Sequence, residues 1–312
     1  MRYAVSHETR YRYSAPVVLG IHMIRLMPVN LTRQHVLDRQ LTIDPPPATL
    51  ADFSDHFGNI VYRAAIETTH DHFAVTLAAT IEVVPENPPP SSGPAWEELR
   101  SAMRLDGFAS PPPVAEFVYS SPLARIETDA TLYAAHSFPK GRPIVEALRE
   151  LNARIHADFS YVPNRTNILT GVAEIFALGE GVCQDFAHIM IAGLRGLGLP
   201  ARYVSGYIRT RPAESDTGHV GTDASHAWIS AWCGAELGWI EFDPTNNLVV
   251  SDAHIVIGYG RDFSDVTPLR GVILGGGSHS LSVAVGVTEL ASAAEQFNKF
   301  NKGASSPGSE AR

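Results

Sequence analysis

The chain of 312 residues holds two cysteines, Cys183 and Cys233, in unlike surroundings. Cys183 lies in GEGVCQDFAHIMI, directly after a Gly-x-Gly turn and at the mouth of a segment with helical periodicity. A helix start leaves backbone N–H groups unpaired and adds partial positive charge. Both favour a thiolate, and the same N–H groups can hold an oxyanion opposite an attacking sulfur. Gly179 and Gly181 permit a tight turn and let another backbone come close. Position alone does not make a nucleophile, because a free cysteine is more often a small buried residue. A base is needed.

Thirteen histidines offer themselves. His70 and His72, in HDH between two strand-like runs, read as a solvated turn in preference to a metal pair. His188 follows Cys183 by five residues and is rotated away from it on the same helix, which suits packing or a hydrogen bond. His226 differs, because it opens the run HAWISAWC. Period two puts His226, Trp228, Ser230 and Trp232 on one face, with Ala227, Ile229, Ala231 and Cys233 on the other. Cys233 thus faces away from His226 and reads as a small core residue. After the turn GAELG, the strand GWIEFDPTNN ends at Asp243, held extended by Pro244. Adjacent antiparallel strands bring this carboxylate beside the imidazole, where it fixes the tautomer and stabilises imidazolium. Taken singly, Asp243 reads as a turn former before proline.

These residues depend on the elements around them. Residues 1–84 carry short, partly alternating runs such as VLDRQLTIDP, NIVYRAAIET and FAVTLAATIEVV, and read as an N-terminal β-sandwich-like domain. The stretch 85–142, opened by PENPPPSSGP, reads as a linker with short helices. Beyond Pro143, Ile144, Leu148, Leu151 and Ile155 recur at helical spacing. VAEIFAL gives a second helix, and the segment led by Cys183 a third that stops at Gly198 and Pro200. Strands then return, so 143–262 reads as the α+β core, 263–297 as a β segment completing the fold, and 298–312 as a disordered tail.

Composition excludes several partners. With 24 Lys+Arg against 33 Asp+Glu, the net charge is −9 and no basic cluster is present, which argues against nucleic acid. No apolar run approaches membrane-spanning length, and MRYAVSHETRYRYSAP lacks a secretory core, so a cytoplasmic protein with reduced thiols is expected. GLRGLG falls late in a helix, not after a strand, and is no dinucleotide site. HExxH, CxxC and phosphate-loop motifs are absent.

GEGVCQDFAHIMIAGLRGLGLPARYVSGYI, DASHAWISAWCGAELGWIEFDPTNN and GYGRDFSDVTPLRGVILGGG resemble the bacterial transglutaminase-like proteins, often described as candidate cysteine proteases. DHFGNIVYRAAIE is similar to the β domain that precedes their core. The resemblance implies a papain-like fold in which a helix carrying cysteine packs on a sheet carrying histidine and aspartate. It places the nucleophile on Cys183, the base on His226 and its orienter on Asp243. The animal transglutaminases have tryptophan directly after their cysteine and another upstream. Here those places hold Gln184 and a stretch from Arg142 to Cys183 without tryptophan. Tyr161 is the candidate oxyanion donor that similar bacterial proteins suggest, Gln184 a second through side chain or backbone, and Trp228 a candidate shield or groove wall. The implied activity is thiol-dependent amide-bond chemistry on a peptide or protein amide, chiefly hydrolysis. Acyl transfer to an amine and non-catalytic peptide binding are the alternatives. No cofactor or metal is required, and neither oligomeric state nor substrate is legible.

Overall fold

A computed structural model describes residues 1–105, 112–209 and 225–290. The N-terminal part supplies β1 (Arg2–Ile24), β2 (Gln34–Asp44), β3 (Thr49–Ser54), β4 (Ile60–Ile66) and β5 (His70–Val83). The middle supplies α1 (Trp96–Leu105), α2 (Pro112–Ala115), α3 (Thr128–Ala135), α4 (Ile144–Asp158), β6 (Ser160–Tyr161), α5 (Val172–Leu178), β7 (Glu180–Gly181) and α6 (Cys183–Gly196). Then come β8 (Ala201–Ile208), β9 (Ser225–Trp232), β10 (Trp239–Asp243), β11 (Leu248–Val249), β12 (His254–Gly260), β13 (Leu269–Gly275) and β14 (His279–Leu290).

The long β1 serves two sets of neighbours. Its first half pairs with β5 and β14, its second half with β4 and β13, and the β5 ladder shifts register between Arg12 and Val17. Of residues 263–297, as far as they are described, Val266 joins the core around α6, and β13 and β14 return to the N-terminal sheet as partners of β1. The expected tail over 298–312 lies outside the described residues.

The second sheet is antiparallel, in the order β11-β10-β9-β8-β12. Buried along almost its whole length, α6 lies against one face of this sheet with α3, α4 and α5 around it. Ala227, Ile229, Ala231, Cys233 and Phe242 meet Ile189, Met190 and Leu194 in that core. Residues 85–142 are likewise more than a linker, since Trp96, Leu99, Ala124, Ala130, Ala134 and Phe138 belong to the same core. The buried side of α3 consists of two alanines, Ala130 and Ala134, so a core helix carries almost no hydrophobic periodicity there.

The two parts share a boundary. Tyr207, Ile255 and Ile257 of the second sheet are buried among residues of the N-terminal sheet. Gln34, itself fully buried, accepts from the Val256 N–H at 2.7 Å and donates to the Val256 carbonyl at 2.8 Å. Its amide thereby occupies edge groups of β12 that another strand would otherwise take.

Candidate active site

The turn into α6 is tightly specified. Gly179 ends α5 in the left-handed conformation with φ 65°. A Cβ on Gly181 would lie 2.8 Å from Asp185 Cβ and Oδ2, so only glycine fits. Asp185 Oδ2 accepts the Val182 N–H at 2.8 Å and the Thr166 hydroxyl at 2.5 Å. This is the reciprocal half of a capping box, since Val182 has no side-chain oxygen to complete it. Burial raises the Asp185 pKa, and these two hydrogen bonds offset only part of the rise. The first intrahelical bonds run from Asp185 and Phe186 to the Val182 carbonyl. The N–H groups of Cys183 and Gln184 therefore lie ahead of the helical ladder, beside a half-exposed sulfur.

His226 enters from β9 and Asp243 from β10. The strands pair through Phe242 and Ile229, and continuing that register by one residue sets Asp243 diagonal to His226 on one face. His226 Nε2 is 2.8 Å from Asp243 Oδ2. A carboxylate only accepts, so Nε2 carries the proton and Nδ1 is the nitrogen left for the thiol. Burial alone would lower the His226 pKa. Asp243, by charge and hydrogen bond, and then Cys183 outweigh it and push it up to about 10. Burial acts on Asp243 in the opposite sense to its partners, and His226 and then His254 hold its carboxyl well below the usual range.

Asp243 is fully buried and accepts five hydrogen bonds. Oδ1 receives the N–H groups of Thr245 (3.0 Å) and Asn246 (3.2 Å), and Oδ2 receives His226, Asn246 Nδ2 (2.8 Å) and His254 Nε2 (3.1 Å). The turn that supplies Asn246 is held by α4. His156 Nδ1 reaches the Thr245 carbonyl at 2.8 Å, and Asn152 Nδ2 reaches Asn247 Oδ1 at 3.2 Å. His226, Asp243 and His254 also form a possible metal-ligand set, with donor atoms within 4.8 Å of one another. The separations of 2.8 and 3.1 Å from Oδ2 are direct hydrogen-bond lengths, and protons account for them without a cation.

The remaining sequence candidates divide. Tyr161 pairs with Gly181 across the parallel β6–β7 bridge, two residues from Cys183, and packs against Phe186 with ring centroids 6.4 Å apart. Gln184 is partly exposed in the first turn of α6. Trp228 departs from expectation. It is fully buried with Val29, Val204 and Val256, and its Nε1 donates to Glu241 Oε2 at 2.9 Å, so it is a core residue under the site and not a groove wall. His188 is buried and accepts the Phe263 N–H at 3.3 Å, a structural role. His70 and His72 stand on β5, not in a turn, and His72 pairs with Asp71 and Asp44.

The sequence reading missed His254 and Asn246. Asn246 was within the DPTNN stretch already noted, whereas His254 opened a strand with nothing to mark its contact with Asp243. Among the described residues, no helix is long and apolar enough to cross a membrane.

Residues 3–82 match the bacterial transglutaminase-like N-terminal region, and residues 134–244 the transglutaminase-like superfamily. An uncharacterised protein of Mycobacterium tuberculosis is 42% identical over 281 residues, 87% of this chain and 87% of its own. Another, from Mycobacterium leprae, is 34% identical over 293 residues, 93% of this chain and 99% of its own. The solved structure of a candidate cysteine protease from Cytophaga hutchinsonii shares the fold. Its TM-score is 0.74 at 22% identity, over 94% of this chain and 91% of that one. With both regions matched and the fold shared nearly end to end, this chain belongs to the transglutaminase-like superfamily and carries the N-terminal region of its bacterial members.

Proposed function

We propose that this protein is a thiol-dependent amide-bond enzyme, a peptidase or amidase working through Cys183, His226 and Asp243. The observation that carries the reading is His226, hydrogen-bonded through Nε2 to a buried carboxylate and raised in pKa by Asp243 and then by Cys183, the less buried of the two thiols. In the reaction, the Cys183 sulfur attacks an amide carbonyl from a thiolate–imidazolium pair, its proton already held on His226 Nδ1. The oxyanion is received by the free N–H groups at the start of α6, with Tyr161 as a further donor. His226 then protonates the leaving amine, which departs as the thioester forms. Water, deprotonated by the same imidazole, releases the acid.

Water is favoured as the acceptor over a second amine. Amine transfer calls for a shielded approach to the thioester. Here Cys183 is half-exposed, Gln184 stands where the animal cross-linkers have tryptophan, and Trp228 is committed to the core beneath. The test presents a glutamine-rich peptide library with a labelled primary amine, and follows adducts on Cys183 by mass spectrometry against Cys183→Ala. A thioester adduct with acid product exceeding amine product is expected. Predominant amine incorporation would reverse the choice of acceptor, and no adduct from any peptide would sink the enzymatic reading.

A further inference from the structure

Asp243 has a second imidazole on it that the proposed reaction does not use. His254 is fully buried at the start of β12, and its only side-chain hydrogen bond among the described residues is the one from Nε2 to Asp243 Oδ2. Its other nitrogen, Nδ1, is buried without a partner. Leaving a polar atom unpaired in the interior is costly. A leucine or phenylalanine would fill this space without that cost, so packing does not explain the histidine. Structural satisfaction of Asp243 does not explain it either, because four other donors already serve that carboxylate.

The surroundings fix where His254 can point. The Trp228 ring stands edge-on to it at 5.2 Å. Arg33, from the segment joining β1 and β2, donates to the carbonyls of His254 and Ser251, each at 3.3 Å, and to Glu241 Oε2 at 3.0 Å. Glu241 in turn receives Trp228 Nε1 and the Tyr259 hydroxyl, both at 2.9 Å. The charged and titratable groups acting on His254 are Asp243, His226 and Arg33. The N-terminal region therefore clamps the backbone of the residue that holds the carboxylate.

We propose that His254 is a positioning residue, donating to Asp243 Oδ2 so that the carboxylate stays aimed at His226 Nε2, with Arg33 of the N-terminal region setting its place. His254 touches neither thiol nor substrate and acts through Asp243. The role rests on the proposed function, since it matters to chemistry only if His226 serves Cys183. It also gives the N-terminal region a task at the site: removing Arg33 loosens the imidazole that orients the acid.

The test compares alkylation of Cys183 by iodoacetamide at pH 6.5 in the parent, His254→Leu and His254→Gln, with 15N-histidine spectra of each. The amide nitrogen of glutamine reaches the place of Nε2, whereas leucine keeps the volume and loses the donor. Alkylation in His254→Leu is expected to slow about tenfold, the cost of one hydrogen bond to a charged group. The downfield Nε2–H signal of His226 should broaden or shift in that variant, and His254→Gln should recover most of both. Should His254→Leu not fold, His254→Asn carries the comparison, because its shorter amide falls short of Asp243. A reactive parent with His254→Leu labelled at the parent rate, or with His254→Gln no better than His254→Leu, overturns this inference alone. A parent whose Cys183 labels no faster than Cys233 overturns the proposed function and this inference with it.

Discussion

The two faces of the five-stranded sheet are both largely buried and do different things. Toward α6, β9 turns Ala227, Ile229 and Ala231, followed by Cys233, and every one is buried in a hydrocarbon core. On the other side lie His226, Trp228, Glu241, Asp243, His254 and Tyr259, joined by hydrogen bonds of 2.8 to 3.1 Å around two carboxylates. Burial therefore does not separate structure from chemistry in this protein. What separates them is whether buried polar groups are hydrogen-bonded to one another and whether that network ends on a reactive atom. The two cysteines express the same contrast. Burial pushes the Cys233 thiol up to about 12, whereas Cys183 is half-exposed and faces an imidazole.

The contrast breaks most visibly by removing the reactive pair. Cys183→Ala and His226→Ala should each lower acyl release by about a thousandfold or more. Their stabilities should part company. Cys183→Ala removes a half-exposed atom and is expected to leave the melting temperature close to that of the parent. His226→Ala removes the main partner of a buried carboxylate and should destabilise measurably. Turnover by His226→Ala at the parent rate would show that the base is misassigned.

Next in size is the reactivity of the thiols. Iodoacetamide at pH 6.5 should modify Cys183 on the order of a hundred times faster than Cys233, read by peptide mapping after timed quenching. Equal, slow labelling of the two would remove the distinction between the faces.

Much of this arrangement is legible in the sequence. Period two along HAWISAWC sorted β9 correctly into its two faces, because alternation is what a sheet buried on both sides preserves when one side is polar. The helix starting at Cys183 was marked by its glycines, and Asp243 by the proline after it. The misses have physical causes as well. Trp228 shares a face with His226, and alternation cannot tell a groove wall from a residue sealed beneath by Val29 of the N-terminal region. His254 lies eleven residues beyond Asp243, on a strand three places away from β10 in the sheet. Long-range pairing of this kind leaves no local pattern. The same holds for β13 and β14: the stretch reads as a β segment, but its partner, β1, is at the other end of the chain.

A smaller effect is expected in the pH dependence of stability. His226 titrates near 10 when folded, against an ordinary value of about 6.5. A raised pKa means stability that is complete below the unfolded value and is lost as pH climbs through the folded one. Asp243, depressed, contributes stability above its ordinary value of about 4 that fades as pH falls below it. His254 is held neutral chiefly by burial, so protonation below about 6.5 works against the fold. The melting temperature of the parent should accordingly fall from pH 7 to pH 10, and fall less in Asp243→Asn, where the main reason for the raised histidine is gone. Parallel declines in the two proteins would show that the pair does not govern alkaline stability.

The smallest effect tests the apolar face. Cys233 is fully buried, and its thiol donates one weak hydrogen bond to the Ala231 carbonyl at 3.6 Å. Replacing it with alanine removes one atom from a packed core, and the expected cost is about 1 kcal/mol of stability, within the range for small core deletions. Cys233→Ser should cost more, since it replaces a sulfur with a strongly polar hydroxyl among hydrocarbon side chains. Neither change touches His226, Asp243 or His254, which point the other way from β9, β10 and β12, so acyl release at a temperature where all three proteins are folded should stay within about twofold of the parent. Denaturant titration and the acyl-release assay, run on the same preparations, measure the two sides separately. A loss of turnover in Cys233→Ala without a loss of stability would mean that the apolar face feeds the site directly, and the division between the faces would fail.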